Sequence, residues 1–170
     1  MTLLRFMKPS LGAAAMICAA LAAGPDAASA STVTTTFTVS TDVVTACVVS
    51  ATPLSFGSYL PTTASTATSV ITVACSNTVP YNVGLDAGTS TGATVTSRAM
   101  TGPTGALPLH YNLFQDSAHT INWGDTVGTD TVPGTGNGSG QTLTVYGQIP
   151  SGQGNRPGAY TDTITVTVTY

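Results

Sequence analysis

From Tyr160 to Tyr170 the chain reads Tyr-Thr-Asp-Thr-Ile-Thr-Val-Thr-Val-Thr-Tyr. Ile164, Val166, Val168 and Tyr170 fall on one face, and Thr163, Thr165, Thr167 and Thr169 on the other. A period of two is that of a β-strand with one face buried and the other solvated. The β-branched Thr and Val side chains suit a pleated surface. A strand this long and regular must have both edges covered, because a bare row of N–H and C=O groups is a template for aggregation. The sequence stops at Tyr170 with no turn and no following strand, so the expectation is that some other element covers the second edge.

A second pattern of the same kind lies near the front, in Ser-Thr-Val-Thr-Thr-Thr-Phe-Thr-Val-Ser-Thr-Asp-Val-Val over residues 31–44. Val33, Phe37, Val39 and Val43 share odd parity, interrupted by Thr35 and Thr41. Two readings fit it: the first strand of the sheet, or a detachable strand that completes another molecule's sheet. Between the two patterns, strand-like runs recur at 44–49, 54–59, 69–75, 81–85, 93–96, 109–114 and 143–146, punctuated by Pro and Gly; residues 122–141 read as loop. Short strands separated by frequent turn signals predict an all-β, immunoglobulin-like sandwich.

Residues 1–30 read as a cleaved signal peptide. Arg5 and Lys8 form the basic start, 11–24 the apolar stretch, and Ala28-Ser29-Ala30 the cleavage signal. No later stretch is long and apolar enough to predict a membrane-spanning helix. After residue 30 the only basic side chains besides His110 and His119 are Arg98 and Arg156, set against six Asp, a formal balance of 2 − 6 = −4. Nucleic acid and anionic membrane surfaces both require a basic patch, so neither is an expected partner. Thr supplies 32 of those 140 residues while Lys and Glu are absent. That composition makes a surface of hydroxyls and amides, as in extracellular structural proteins.

The two remaining cysteines, Cys47 and Cys75, read as a disulfide in an exported chain. A two-Cys metal site would need further ligands, and His110 and His119 are remote in sequence and nine residues apart. No cofactor is implied. There is no G-x-S-x-G elbow, neither histidine has a catalytic context, and the Asp residues sit beside Gly and Thr as turn closers do. Trp123, the single tryptophan, reads as a core or loop anchor, with an exposed glycan platform as the other reading.

Several blocks together resemble the spore coat protein U domain family, which includes subunits of archaic, Csu-type chaperone–usher pili. They are Leu-Thr-Val-Tyr-Gly-Gln-Ile-Pro (143–150), Gln153, Pro-Gly-Ala-Tyr-Thr-Asp (157–162) and the terminal Thr/Val strand. Further back come Tyr-Asn-Leu-Phe-Gln-Asp (111–116), Trp-Gly-Asp (123–125), Arg98, Met100, Cys47, Leu-Ser-Phe-Gly-Ser-Tyr (54–59) and Cys75-Ser76. The resemblance spans residues 45–170. It implies an immunoglobulin-like sandwich lacking its final strand, completed first by a periplasmic chaperone and then, at an outer-membrane usher, by the N-terminal strand of the next subunit. On that reading residues 31–43 are the donor strand, with Val33, Phe37, Val39 and Val43 as its plugs. Residues 44–170 are the pilin domain, and Ile164, Val166, Val168 and Tyr170 line the acceptor groove and chaperone contact. The implied function is a non-enzymatic, homopolymeric pilus subunit at the cell surface, supporting adhesion and biofilm formation. The alternative is a self-contained secreted sandwich serving as a coat component or glycan-binding module.

Overall fold

Among the described residues, alternating apolar positions organise eight strands and two facing sheets. The computed structural model describes residues 30–170, so the signal-peptide segment lies, apart from Ala30, outside the described residues. The strands are β1 (Cys47–Ala51), β2 (Ser65–Cys75), β3 (Pro80–Leu85), β4 (Arg98–Met100), β5 (Leu109–Phe114), β6 (Val132–Thr135), β7 (Gly140–Ile149) and β8 (Val166–Thr169). One sheet has the order β1-β2-β7-β5-β4 and the other β6-β3-β8, with every pairing antiparallel. Among the described residues there is no helix. Residues 30–46 form no strand.

The topology is that of an immunoglobulin-like sandwich. β1, β2, β7 and β5 occupy the places of strands A, B, E and D, and β3 and β8 those of C and F. The place beyond β8, where strand G completes such a fold, holds no strand of the described residues. Ile71, Val73, Val83, Leu85, Leu113, Val145 and Ile149 fill the space between the sheets. Cys47 stands directly opposite Cys75 in the β1–β2 ladder, and the two are joined in a disulfide, as expected.

Four local expectations differ from the structure. The terminal strand expected over 160–170 is a strand only at β8, Val166–Thr169, preceded by an isolated bridge of Thr161 with Thr101. Residues 54–59 are not a strand: Gly57 takes a φ of +66° that a ladder does not accommodate. The segment lies instead across the sandwich, where Gly147 on β7 leaves room for the Phe56 ring and Leu54. Residues 93–96 are likewise no strand; β4 starts later, at Arg98. Conversely, β6 forms within the stretch read as loop, at a sheet edge, where Pro133 can sit without breaking a two-sided ladder.

Candidate functional site

The exposed edge of β8 follows from how the strand is bonded. Asp86 N–H donates to Thr165 C=O at 3.2 Å, and β8 continues that pairing with β3 from Val166 to Thr169. Backbone groups in an antiparallel strand alternate sides. Those of Thr165, Thr167 and Thr169 are therefore spent on β3, and those of Ile164, Val166 and Val168 face the open side. The side chains of Ile164, Val166 and Val168 are only half-buried, whereas Val83 and Leu85 on the neighbouring strand are fully enclosed.

Across from β8 lies β1, the edge strand of the other sheet. Their nearest Cα atoms come within 8 Å, but each strand pairs only with its own sheet. These two edges therefore face each other unpaired. Where β1 ends at Ala51 and β8 begins at Val166, a cleft of about 400 Å³ opens between the sheets. Ala51 lines it from the β1 side, Ile164 and Val166 from the terminal segment, and Ile71, Leu113 and Val145 from the floor. Its chemistry is that of a slot for an extended chain, with apolar pockets below and free backbone donors and acceptors along one wall.

Polar contacts hold the β8 wall in place. Asp162 Oδ2 accepts the Tyr111 hydroxyl at 2.7 Å, and Oδ1 accepts from the Thr89 N–H and hydroxyl at 2.8 and 2.9 Å. Gly88, at φ +84°, lets the backbone pass so close that a Cβ there would collide with this carboxylate. Burial, and then the hydrogen bond to Asp162, push the Tyr111 phenol far above its ordinary range, so it stays a donor. Asp86 Oδ1 accepts from Gly88 N–H and Thr165 N–H. Burial pushes the Asp86 carboxyl up, but the Thr165 and Gly88 hydrogen bonds and the Arg98 charge outweigh it and hold it below its ordinary value.

Arg98 anchors these loops from inside. Its guanidinium is fully buried and donates to the carbonyls of Asp86, Val95, Leu85 and Trp123 at 2.7–2.8 Å. Burial pulls its pKa below the usual arginine value, opposed by Tyr111 and by the charges of Asp86, Asp125 and Asp130. Trp123 is 1% exposed and donates its indole N–H to Val83 C=O at 2.8 Å. It is a core anchor, and the glycan-platform reading of this residue falls. Among the described residues, no group of three or more His, Cys, Asp or Glu side chains is placed to hold a metal.

The structure brings Ile164 and Val166 to the cleft and continues the same face through Val168, while Tyr170 is 59% exposed. Val33, Phe37, Val39 and Val43 lie in no strand and are 83–95% exposed. The cleft floor, Tyr111 and Asp162 were not singled out by periodicity. Tyr111 and Asp162 do lie inside the blocks that carried the family resemblance, which was their only signal.

A family model for the Spore Coat Protein U domain matches residues 33–167. "Protein U" of Myxococcus xanthus is 31% identical over 128 residues, covering 69% of this chain and 71% of that protein. A crystal structure of the CsuC–CsuE chaperone–tip subunit pre-assembly complex, from the archaic chaperone–usher Csu pili of Acinetobacter baumannii, contains a similar chain. The likeness has a TM-score of 0.56 at 25% identity, and covers 75% of this chain and 40% of that one.

Proposed function

Because the chain belongs to the Spore Coat Protein U domain family, we propose that it is a structural subunit of an extracellular chaperone–usher pilus, polymerising by donor-strand complementation. The observation that carries this reading is the cleft beside β8, an apolar slot flanked by a free strand edge, at a place where the described residues supply no immunoglobulin strand. The exposed apolar face of residues 33–43 is the matching feature, supplied by a second copy of the chain. Residues 1–30 serve as the export signal, 31–43 as the donor strand and 44–170 as the acceptor domain. Ile164, Val166, Val168 and Tyr170 contact a periplasmic chaperone first and the neighbouring subunit afterwards, with exchange at an outer-membrane usher. The finished fibre stands on the cell surface and supports adhesion and biofilm formation. The similarity to a chain of a Csu chaperone–tip subunit complex supports the same assembly route.

The test is removal of the donor. A chain lacking residues 31–43 is expected to be exported and captured by chaperone but to yield no fibres in a shear preparation. Fibres at wild-type yield from that deletion would sink the proposal in favour of a self-contained secreted sandwich.

A further inference from the structure

Resting on the donor-strand reading above, we propose the direction and register of the donor: residues 33–43 of a second copy lie antiparallel to 160–170, with Thr41 against Asp162, Val43 against Tyr160 and Phe37 against Val166.

Direction follows from the immunoglobulin pattern, whose last strand runs antiparallel to the strand in the place of β8. The tie of the chain to its own body then decides which molecule supplies the donor. Val44 C=O accepts the Ser76 hydroxyl at 3.1 Å, Ala46 N–H donates to Ser76 Oγ at 3.2 Å, and Ser76 N–H donates to Ala46 C=O at 2.9 Å. These contacts fix the chain from Val44 onward at the end of the sandwich that holds the Cys47–Cys75 disulfide. The tail of β8 reaches the same end, since Thr169 pairs with Asn82 near the start of β3. Tyr160 lies toward the opposite end, where it lines the same cavity as Tyr59 and Pro61. A donor completing the immunoglobulin pattern runs antiparallel to β8, so its Val43 emerges at the Tyr160 end. Its next residue, Val44, is already bound to its own body. Consecutive Cα atoms are about 3.8 Å apart, so a chain cannot place its own donor antiparallel in its own cleft. Antiparallel insertion is therefore necessarily between molecules.

Register follows from side chains that share the cleft face. Residues directly opposite in an antiparallel pair point to the same side, so the odd donor positions meet the even positions of 160–170. Asp162, which lines the cleft, is the one charged position on that wall. Shifting the pairing by two residues either way sets Val43 or Val39 against this carboxylate, where neither side chain can donate to the remaining Oδ2 acceptor site. Setting Thr35 there pushes Val39 and Val43 out beyond Tyr160. Thr41 against Asp162 avoids both. It also pairs Val39 with Ile164, Phe37 with Val166, Thr35 with Val168 and Val33 with Tyr170. Asp162 Oδ1 already accepts three hydrogen bonds, from the Thr89 N–H, the Thr89 hydroxyl and Thr163 N–H, while Oδ2 accepts one, from Tyr111. Oδ2 thus retains acceptor capacity for the Thr41 hydroxyl. The break in the donor's apolar pattern at Thr41 becomes its register mark.

Cysteine trapping in fibres sheared from cells expressing the full chain tests this. In-register partners lie about 5.5 Å apart, within disulfide reach, whereas partners displaced by two residues lie at about 7–8 Å and beyond it. Fibres of Phe37→Cys/Val166→Cys, and of the second in-register pair Val39→Cys/Ile164→Cys, are expected to run as covalent multimers on boiled, non-reducing gels. Phe37→Cys/Ile164→Cys and Phe37→Cys/Val168→Cys are expected to run as monomers. Multimers from a displaced pair, a cross-link confined to the monomer, or fibres in which neither in-register pair links would overturn the register alone. Absence of fibres from the unmutated chain would overturn the polymerisation reading, and the register with it.

Discussion

Asp86 shows how a single carboxylate secures the wall of the cleft. Its Oδ1 holds Thr165 N–H at 2.9 Å, immediately before the β8 ladder begins. A carboxyl whose pKa is depressed on folding contributes stability above its unfolded value of about 3.9 and loses that contribution as pH falls through the folded value. The urea midpoint of the wild-type domain is therefore expected to fall below about pH 4. The Asp86→Asn variant should start lower at pH 6 and lose less of its midpoint on acidification. Parallel pH curves for the two proteins would refute the assignment. Neither Asp86 nor Arg98 was legible as a structural centre in the sequence. Arg98 reaches Trp123 C=O across 25 residues and Tyr111 reaches Asp162 across 51, and no local pattern encodes such pairings. What was legible at this scale was the terminal alternation of Ile164, Val166 and Val168, because a period of two survives in a linear string.

Among the elements, β1 owes its place to a covalent clamp. It is five residues long, lies at a sheet edge and is largely exposed, so its ladder to β2 is weakly protected by burial. The disulfide between Cys47 and Cys75 closes a separation of 28 residues. The chain-entropy account gives such a closure about 3–4 kcal/mol. Replacing both cysteines with Ala is expected to lower the unfolding free energy by that amount in a denaturant titration, with a reductant producing the same shift in the wild type. A loss below about 1 kcal/mol would mean that the β1–β2 ladder holds without the clamp. Strands with clear alternation, such as β5 and β7, lie where their residues predicted them, β7 running longer at both ends. β6 and the 54–59 segment did not, because Pro133 at an edge and Gly57 at positive φ are decided by neighbouring strands rather than by local propensity.

For the whole molecule, the unfilled place beside β8 predicts that the domain is made stable by supplying a strand in cis. In the proposed register Tyr170 faces Val33, so a two-residue Asn-Gly turn can join them as a hairpin. A chain lacking its own residues 31–43, with Asn-Gly and residues 33–43 appended after Tyr170, is expected to be a soluble monomer. Its thermal midpoint should exceed that of the same domain without the appendage by more than about 10 °C, equivalent to a few kcal/mol for a domain of this size. An unchanged midpoint would show that the cleft does not take this segment. The Ser76 tether has a mechanical consequence for a fibre so built. Tension along its axis would enter each body at Val44 and meet the disulfide three residues later. From there it would pass through a covalent bond into β2, in the interior of its sheet, instead of peeling β1 away. At the other end the donor would be pulled lengthwise along β8, so its hydrogen bonds would be sheared together rather than unzipped in turn.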